Sequence, residues 1–315
     1  MEGCIRPIVT FANAMRSALR AQKGHRTVLV TILRWILAMT ITTAVFLPDL
    51  YQPFLNSLWK VLSQLRVYRW STFETLWTVF CYGAIEDLIT VAFVNWPELR
   101  LAHQHVSSET LKENPPRKPK GMRRPSRRGY EALVYVTPLL AMDLTMIKKY
   151  ADVPLDHMLA SGNYNASSVP SVGGHKQTFL VPSLHNFSIW SPLQVQRALP
   201  IDAPSSRRLA LELIISLVLY DALFFLFHLA LHVLPVVRSW HHPHHSHAEI
   251  QPQITNQLSV FERLGLVLLA NFSLNIIGSH VLTRTLFIPI FVHLLVEIHC
   301  KITQGSNFKH TLIIC

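Results

Sequence analysis

Residues 221–247 read DALFFLFHLALHVLPVVRSWHHPHHSH. Seven of the chain's 17 histidines fall in this stretch, directly after a long apolar run. Soluble surfaces scatter their histidines and membrane spans normally exclude ionisable side chains, so the clustering calls for a chemical reason. Metal ligation supplies one.

The spacing is specific. His228 and His232 stand at i, i+4 at the end of a helical apolar run, so they share a helix face one turn apart and can converge on one ion. Pro235 breaks or kinks that helix, and Trp240 is placed to anchor the turn at an interface. A new helix starting near His242 would put Pro243 in its first turn, where the missing N–H does little harm. His241, His244 and His245, spaced i, i+3, i+4, would then project to one side, with His242 and His247 off that face. A single histidine on an apolar face is usually a hydrogen-bonded core residue. Five at these spacings are not explained by packing. Imidazole suits Zn, Cu, Fe or Ni, and five exceed the needs of one tetrahedral zinc, so a two-metal centre fits the count.

Composition places this cluster in a membrane protein. Half of the 315 residues are hydrophobic and 15% are charged, against about 25% charged in soluble domains. Cys4, Cys81, Cys300 and Cys315 are dispersed without a C-x-x-C pair, which argues against a disulfide framework or a thiolate metal site. The net charge of +11 sits beside apolar spans and follows membrane topology better than nucleic-acid binding.

Taken in order, residues 1–26 form a basic cytosolic leader. Residues 27–147 form an N-terminal membrane region, with apolar segments at Thr27–Leu47 (interrupted by Arg34), Phe73–Trp96 (containing Glu86 and Asp87) and Glu131–Ile147 (containing Pro138 and Asp143). Residues 49–72 between the first two carry interfacial aromatics. Within this region the linker 112–128, KENPPRKPKGMRRPSRR, is too basic and proline-rich to pack and marks the cytosolic side. Residues 148–206 are a polar, luminal loop with sequons at Asn165 and Asn186. A fourth span, Leu209–Phe227, returns the chain so that the histidines reach the cytosolic face. Leu264–Ile298 is too long for one span and reads as a hairpin that leaves and re-enters on the same side. The expected fold is all-α, a polytopic membrane helix bundle with a cytosolic histidine-rich cap.

An H-x3-H box followed by H-x2-H-H at the end of a span resembles the fatty acid hydroxylase superfamily of membrane non-haem diiron enzymes, which includes sterol desaturases, sterol C4-methyl oxidases and cholesterol 25-hydroxylase-like proteins. The resemblance covers residues 207–303 and extends to Asp221 and to Leu258-Ser-Val-Phe-Glu262. It assigns His228, His232, His241, His244 and His245 to iron. His299, in Val296-Glu297-Ile298-His299-Cys300, matches a family histidine near the metals; His280 and His293 are left as ordinary helix histidines.

The resemblance implies a diiron, O2-dependent oxidoreductase acting on a lipid drawn from the bilayer, a sterol, fatty acyl or sphingoid chain. Its electrons would come from cytochrome b5 or an NAD(P)H reductase, and its location would be the endoplasmic reticulum membrane. The family also carries a third box, H-x2-H-H, beyond the position of His299. Here only His310 follows, in the non-matching tail 304–315, so the expectation is a site short of ligands through truncation or degeneration. The other classes are a catalytically dead membrane scaffold and a His-rich metal-binding membrane protein.

The topology has a direct readout: Asn165 or Asn186 is expected to carry glycan when the chain is expressed in mammalian microsomes. Labelling of a cysteine at position 165 from the cytosolic side would overturn the assignment.

Overall fold

The computed structural model describes residues 23–95, 128–145, 150–154, 157, 160–161, 193–245 and 258–300. The leader before Lys23, most of the basic linker, both sequons and the tail 304–315 lie outside them. The described residues form helices, in order α1 (Lys23–Phe46), α2 (Pro48–Gln64), a 3-10 turn (Val67–Arg69), α3 (Phe73–Asn95), α4 (Arg128–Thr145), α5 (Ser206–Val233), α6 (Pro235–His245), α7 (Val260–Ile276) and α8 (Val281–Cys300). One isolated antiparallel bridge, Trp70 to Gln196, is the β-structure among the described residues. The all-α expectation holds.

Two of these helices are long and apolar enough to cross a membrane, over Phe73–Ala92 and Ser206–Val233. Only 17% of the most apolar window of α5 is buried inside the fold, so this helix is not the core of a water-soluble bundle. Its outward residues, like those of α1 and α3, are large and apolar, with Leu226, Phe80 and Trp35 exposed. Arg34 is exposed on α1, Glu86 is buried and Asp87 points outward.

Pro48 follows the first helix after Leu47. It opens α2 at its first turn, where a missing N–H costs nothing. The segment after it, read from sequence as an interfacial stretch, is an amphipathic helix whose Leu55 and Trp59 are buried. Likewise the hairpin expected over Leu264–Ile298 resolves into α7 and α8, joined at Gly278 (φ 60°), a backbone conformation that glycine adopts without strain. The core has two parts. One, from Leu266, Leu274, Phe287, Phe291 and Val292, joins α3, α5, α7 and α8; the other, from Trp59, Tyr68, Tyr150, Val281 and Leu282, closes one end of the bundle.

That end is pinned by buried polar groups. Arg197 donates to the Tyr68 carbonyl at 2.9 Å and to Glu74 Oε1 at 2.8 Å, and its guanidinium lies 4.8 Å from the Tyr68 ring centroid. Burial pushes the Arg197 pKa down, but Tyr150 and Glu74 outweigh it and hold the guanidinium protonated. The Glu212 carboxylate of α5 accepts from the His280 N–H at 2.9 Å and from the Thr283 hydroxyl, placing negative charge at the N-terminus of α8. His280 itself caps this helix. Its Nδ1 accepts from the Leu282 N–H at 3.1 Å and its Nε2 lies 3.2 Å from the Asp202 carbonyl, with the Trp59 ring packed edge-on at 4.8 Å. Left at sequence level as an ordinary histidine, it is a structural pin.

Both hydrogen bonds require neutral His280 with its proton on Nε2. Burial is the largest influence on its pKa and lowers it below 6.5, against an opposing pull from the Asp202 carbonyl. The unfolded chain therefore binds the extra proton more readily, and this contribution is present above pH 6.5 and lost as pH falls through and below it. Thermal stability in detergent should fall on acidification below that value. In H280Q, at a general cost of about 1–3 kcal/mol, that acid-side loss should shrink; an unchanged pH profile would refute the role.

Candidate metal centre

The site is built where α5 stops. Leu234 precedes a proline and adopts φ −78°, ψ 118°, outside the helical region, while its N–H still bonds to the Ala230 carbonyl. Pro235 then starts α6, which packs back against α5. This corrects the expectation of a helix beginning near His242: Pro243 lies inside an 11-residue helix that began eight residues earlier. The consequence is useful, because the reversal between α5 and α6 brings His241 back to the pair it follows in sequence.

His228, His232 and His241 converge, each offering one nitrogen, with these atoms within 4.8 Å of one another. The rings of His241 stand at 89° to both others, 4.8 Å from His228 and 4.7 Å from His232. The two Nε2 atoms of His228 and His232 are 3.0 Å apart. That separation is close to the edge of a coordination polyhedron with bonds of about 2.1 Å, so the donor set fits an ion with modest contraction. Burial grades from exposed His232 through half-buried His228 to buried His241, leaving an open side.

His241 is oriented from behind. Its Nδ1 makes a short hydrogen bond with Glu262 Oε1, the usual way a carboxylate fixes a ligating imidazole so that its other nitrogen can face a metal. Glu262 is in turn held by a capping box. Its Oε2 accepts from the Ser259 N–H at 2.7 Å, and its own N–H donates to Ser259 Oγ at 3.3 Å. Burial pushes the Glu262 carboxyl up, but the hydrogen bonds from Ser259 and His241 outweigh it and keep its pKa below the ordinary value.

The close seating of α7 on α5 depends on Gly265: a Cβ there would lie 2.5 Å from Phe227 Cζ. At sequence level Glu262 is only a matching position without a role. The signal that could have supplied one is Ser259-x-x-Glu262, a helix-start pattern following the histidines. His244, His245 and His299 lie on the backbones of α6 and α8; their side chains, like that of Trp240, are outside the described set.

Over 111 residues the chain is 32% identical to cholesterol 25-hydroxylase from Homo sapiens, a match covering 35% of this chain and 39% of that protein. The chain thus spans well under half the length of this relative, to which it is distantly homologous. No protein-family model matches the chain, and no solved structure matches it.

The Glu262 contact makes a measurable claim. E262A should weaken Zn2+ binding to the purified protein by roughly 10- to 100-fold, with E262Q intermediate, as for other partners of ligating histidines. Equal affinities across the three proteins would show that Glu262 does not orient His241.

Proposed function

We propose that this chain is a membrane lipid hydroxylase or desaturase of the endoplasmic reticulum, with a histidine-ligated, non-haem diiron centre on its cytosolic face. The observation that carries the reading is the convergence of His228, His232 and His241, with His241 oriented by Glu262. Distant homology to a hydroxylase gives the chemical direction. Ligands for the second iron are proposed from His244, His245 and His299. For hydroxylation the balance is R–H + O2 + 2 e⁻ + 2 H⁺ → R–OH + H2O, and for desaturation a second C–H bond is broken and two waters form. The electrons are proposed to come from cytochrome b5 or an NAD(P)H reductase.

When bound, iron supplies the O2 reduction and the oxidant for an unactivated C–H bond. The protein's part is separate. Glu262 holds the proton of His241 on Nδ1, so the ring faces the site as a neutral donor. The half-buried Phe224 ring, 5.5 Å from His228, gives the site an apolar border against which a lipid chain can pack.

The three imidazoles brought together among the described side chains also support a second reading, a one-ion metal-binding membrane protein without redox turnover. Iron content separates the two. The protein purified after expression with added iron should hold close to two irons per chain, falling to one or none in H241A. One tightly held ion with no O2 consumption in the presence of an electron donor would favour the second reading, and a metal-free protein would sink both.

A further inference from the structure

α2 meets the bundle at the end where α5 and α8 begin. Ser206, the first residue of α5, donates its hydroxyl to the Ala44 carbonyl at 2.8 Å and lies 3.3 Å from the carbonyl of Pro48, the first residue of α2. Eleven residues on from Pro48, Trp59 Nε1 donates to the Ile201 carbonyl at 3.3 Å, and the Trp59 ring packs at 4.8 Å against His280, just ahead of α8. A helix running along α5 from Pro48 would have carried Trp59 about 16 Å down the bundle. Its partners instead precede the starts of α5 and α8. α2 therefore lies across that end of the bundle, remote from the histidines at the far end of α5.

Three sectors of this helix differ. Leu55 and Trp59 are buried in the core. Asn56, Lys60 and Gln64 are polar and exposed. Leu50, Phe54 and Val61 are each more than half exposed, and at 3.6 residues per turn they fall within about 40° of one another. Exposed apolar residues flank this stripe along the chain, Phe46 and Leu47 at the junction with α1 and Leu65 just past the helix. Because Trp35, Leu37 and Met39 of α1 are exposed as well, α2 follows directly on a helix whose outer surface already suits lipid. Within residues 48–70 the exposed cations Lys60, Arg66 and Arg69 stand against one acid, Asp49. An apolar stripe, a polar sector and flanking cations are the make-up of a helix lying in the plane of a lipid interface. By itself, a stripe of three side chains falls short of the about 800 Å² per partner that a stable protein interface buries.

We propose that α2 is an in-plane helix that seats Leu50, Phe54 and Val61 in the acyl-chain border of the phospholipid leaflet remote from the histidines, with Lys60, Arg66 and Arg69 at the phosphates. Because Ser206 is bonded to the junction of α1 and α2, this seating fixes the depth at which α5 enters the bilayer. The seating presupposes the membrane reading of the fold proposed above, independently of iron.

The test is site-directed spin labelling of the full chain in phosphatidylcholine nanodiscs, with collision by O2 and by a water-soluble nickel chelate read at each label. Cysteines are introduced singly as L50C, F54C, V61C, N56C and K60C, with Cys4, Cys300 and Cys315 replaced by serine and buried Cys81 kept. Relative to N56C and K60C, the three stripe labels should favour O2 over nickel by about 5-fold or more, at one shared depth about 5–10 Å into the boundary between head groups and acyl chains. A depth difference of about 16 Å between L50C and V61C would mean that α2 crosses the leaflet instead. Nickel access along the stripe would put it in water, and shielding from both reagents would mean that protein, such as a second copy, covers it. Each of these outcomes overturns the proposal. V218C, on an exposed position of α5, separates the two readings. An O2-rich V218C with a nickel-accessible stripe sinks the in-plane helix alone, and a nickel-accessible V218C sinks the membrane reading with it. Should the cysteine-substituted background not fold by thermal melt, p-benzoylphenylalanine at position 54 of the otherwise native chain decides. Ultraviolet light should join it to phospholipid; crosslinking to a second copy, or to neither, would overturn the proposal.

Discussion

One carboxylate ties the histidine site to the fold. Glu262 is shared between the backbone N–H of Ser259, at the start of α7, and the Nδ1 of His241, near the end of α6. Neither helix terminus is self-sufficient: the first N–H groups of α7 need acceptors, and a buried imidazole needs one nitrogen satisfied if the other is to serve as a ligand. A single side chain meets both needs. An apolar residue at 262 would leave the capping box broken and His241 without its orienting partner, so helix placement and ligand geometry are set together.

The opposite end of the bundle is built by the same economy with different groups. Glu212 joins the first turns of α5 and α8, and Arg197 ties the segment before α5 to the start of α3 through Glu74. A buried ion pair of this sort adds little net stability against an apolar substitute of equal volume. Its effect is positional. With outer helix faces suited to lipid rather than water, hydrophobic collapse gives little register between helices, and polar contacts at the ends can supply it.

How much of this was legible before the structure depended on whether the signal was local. The helices of the apolar segments, and the i, i+4 pair His228 and His232, follow from spacing within one turn, and the structure shows both. The start of α6 at Pro235 was missed because a proline terminates one helix and opens the next with the same ring, and sequence alone weighs only the first effect. His280 was passed over for a related reason. What makes it structural is contact with Asp202 and Trp59, which are distant in sequence. Glu262 was visible as a matching residue, but its role rests on a partner 21 residues earlier, across a segment whose path no local pattern defines.

Gly265 shows how the histidine site is coupled through one helix to a cavity of about 430 Å³ lined by α3, α4, α7 and α8. The absence of a side chain lets α7 approach Phe227 of α5, one residue before His228. That approach places Glu262 against His241 on one side of the glycine. On the other side, from Val267 to Asn275, the same helix forms a wall of the cavity. A bulkier residue at 265 that pushed α7 outward would therefore disturb both at once, lengthening the carboxylate–imidazole contact while opening the cavity. Because α7 is continuous between them, the separation of Glu262 from Asn275 at the cavity wall is set by helix rise and not by loop conformation.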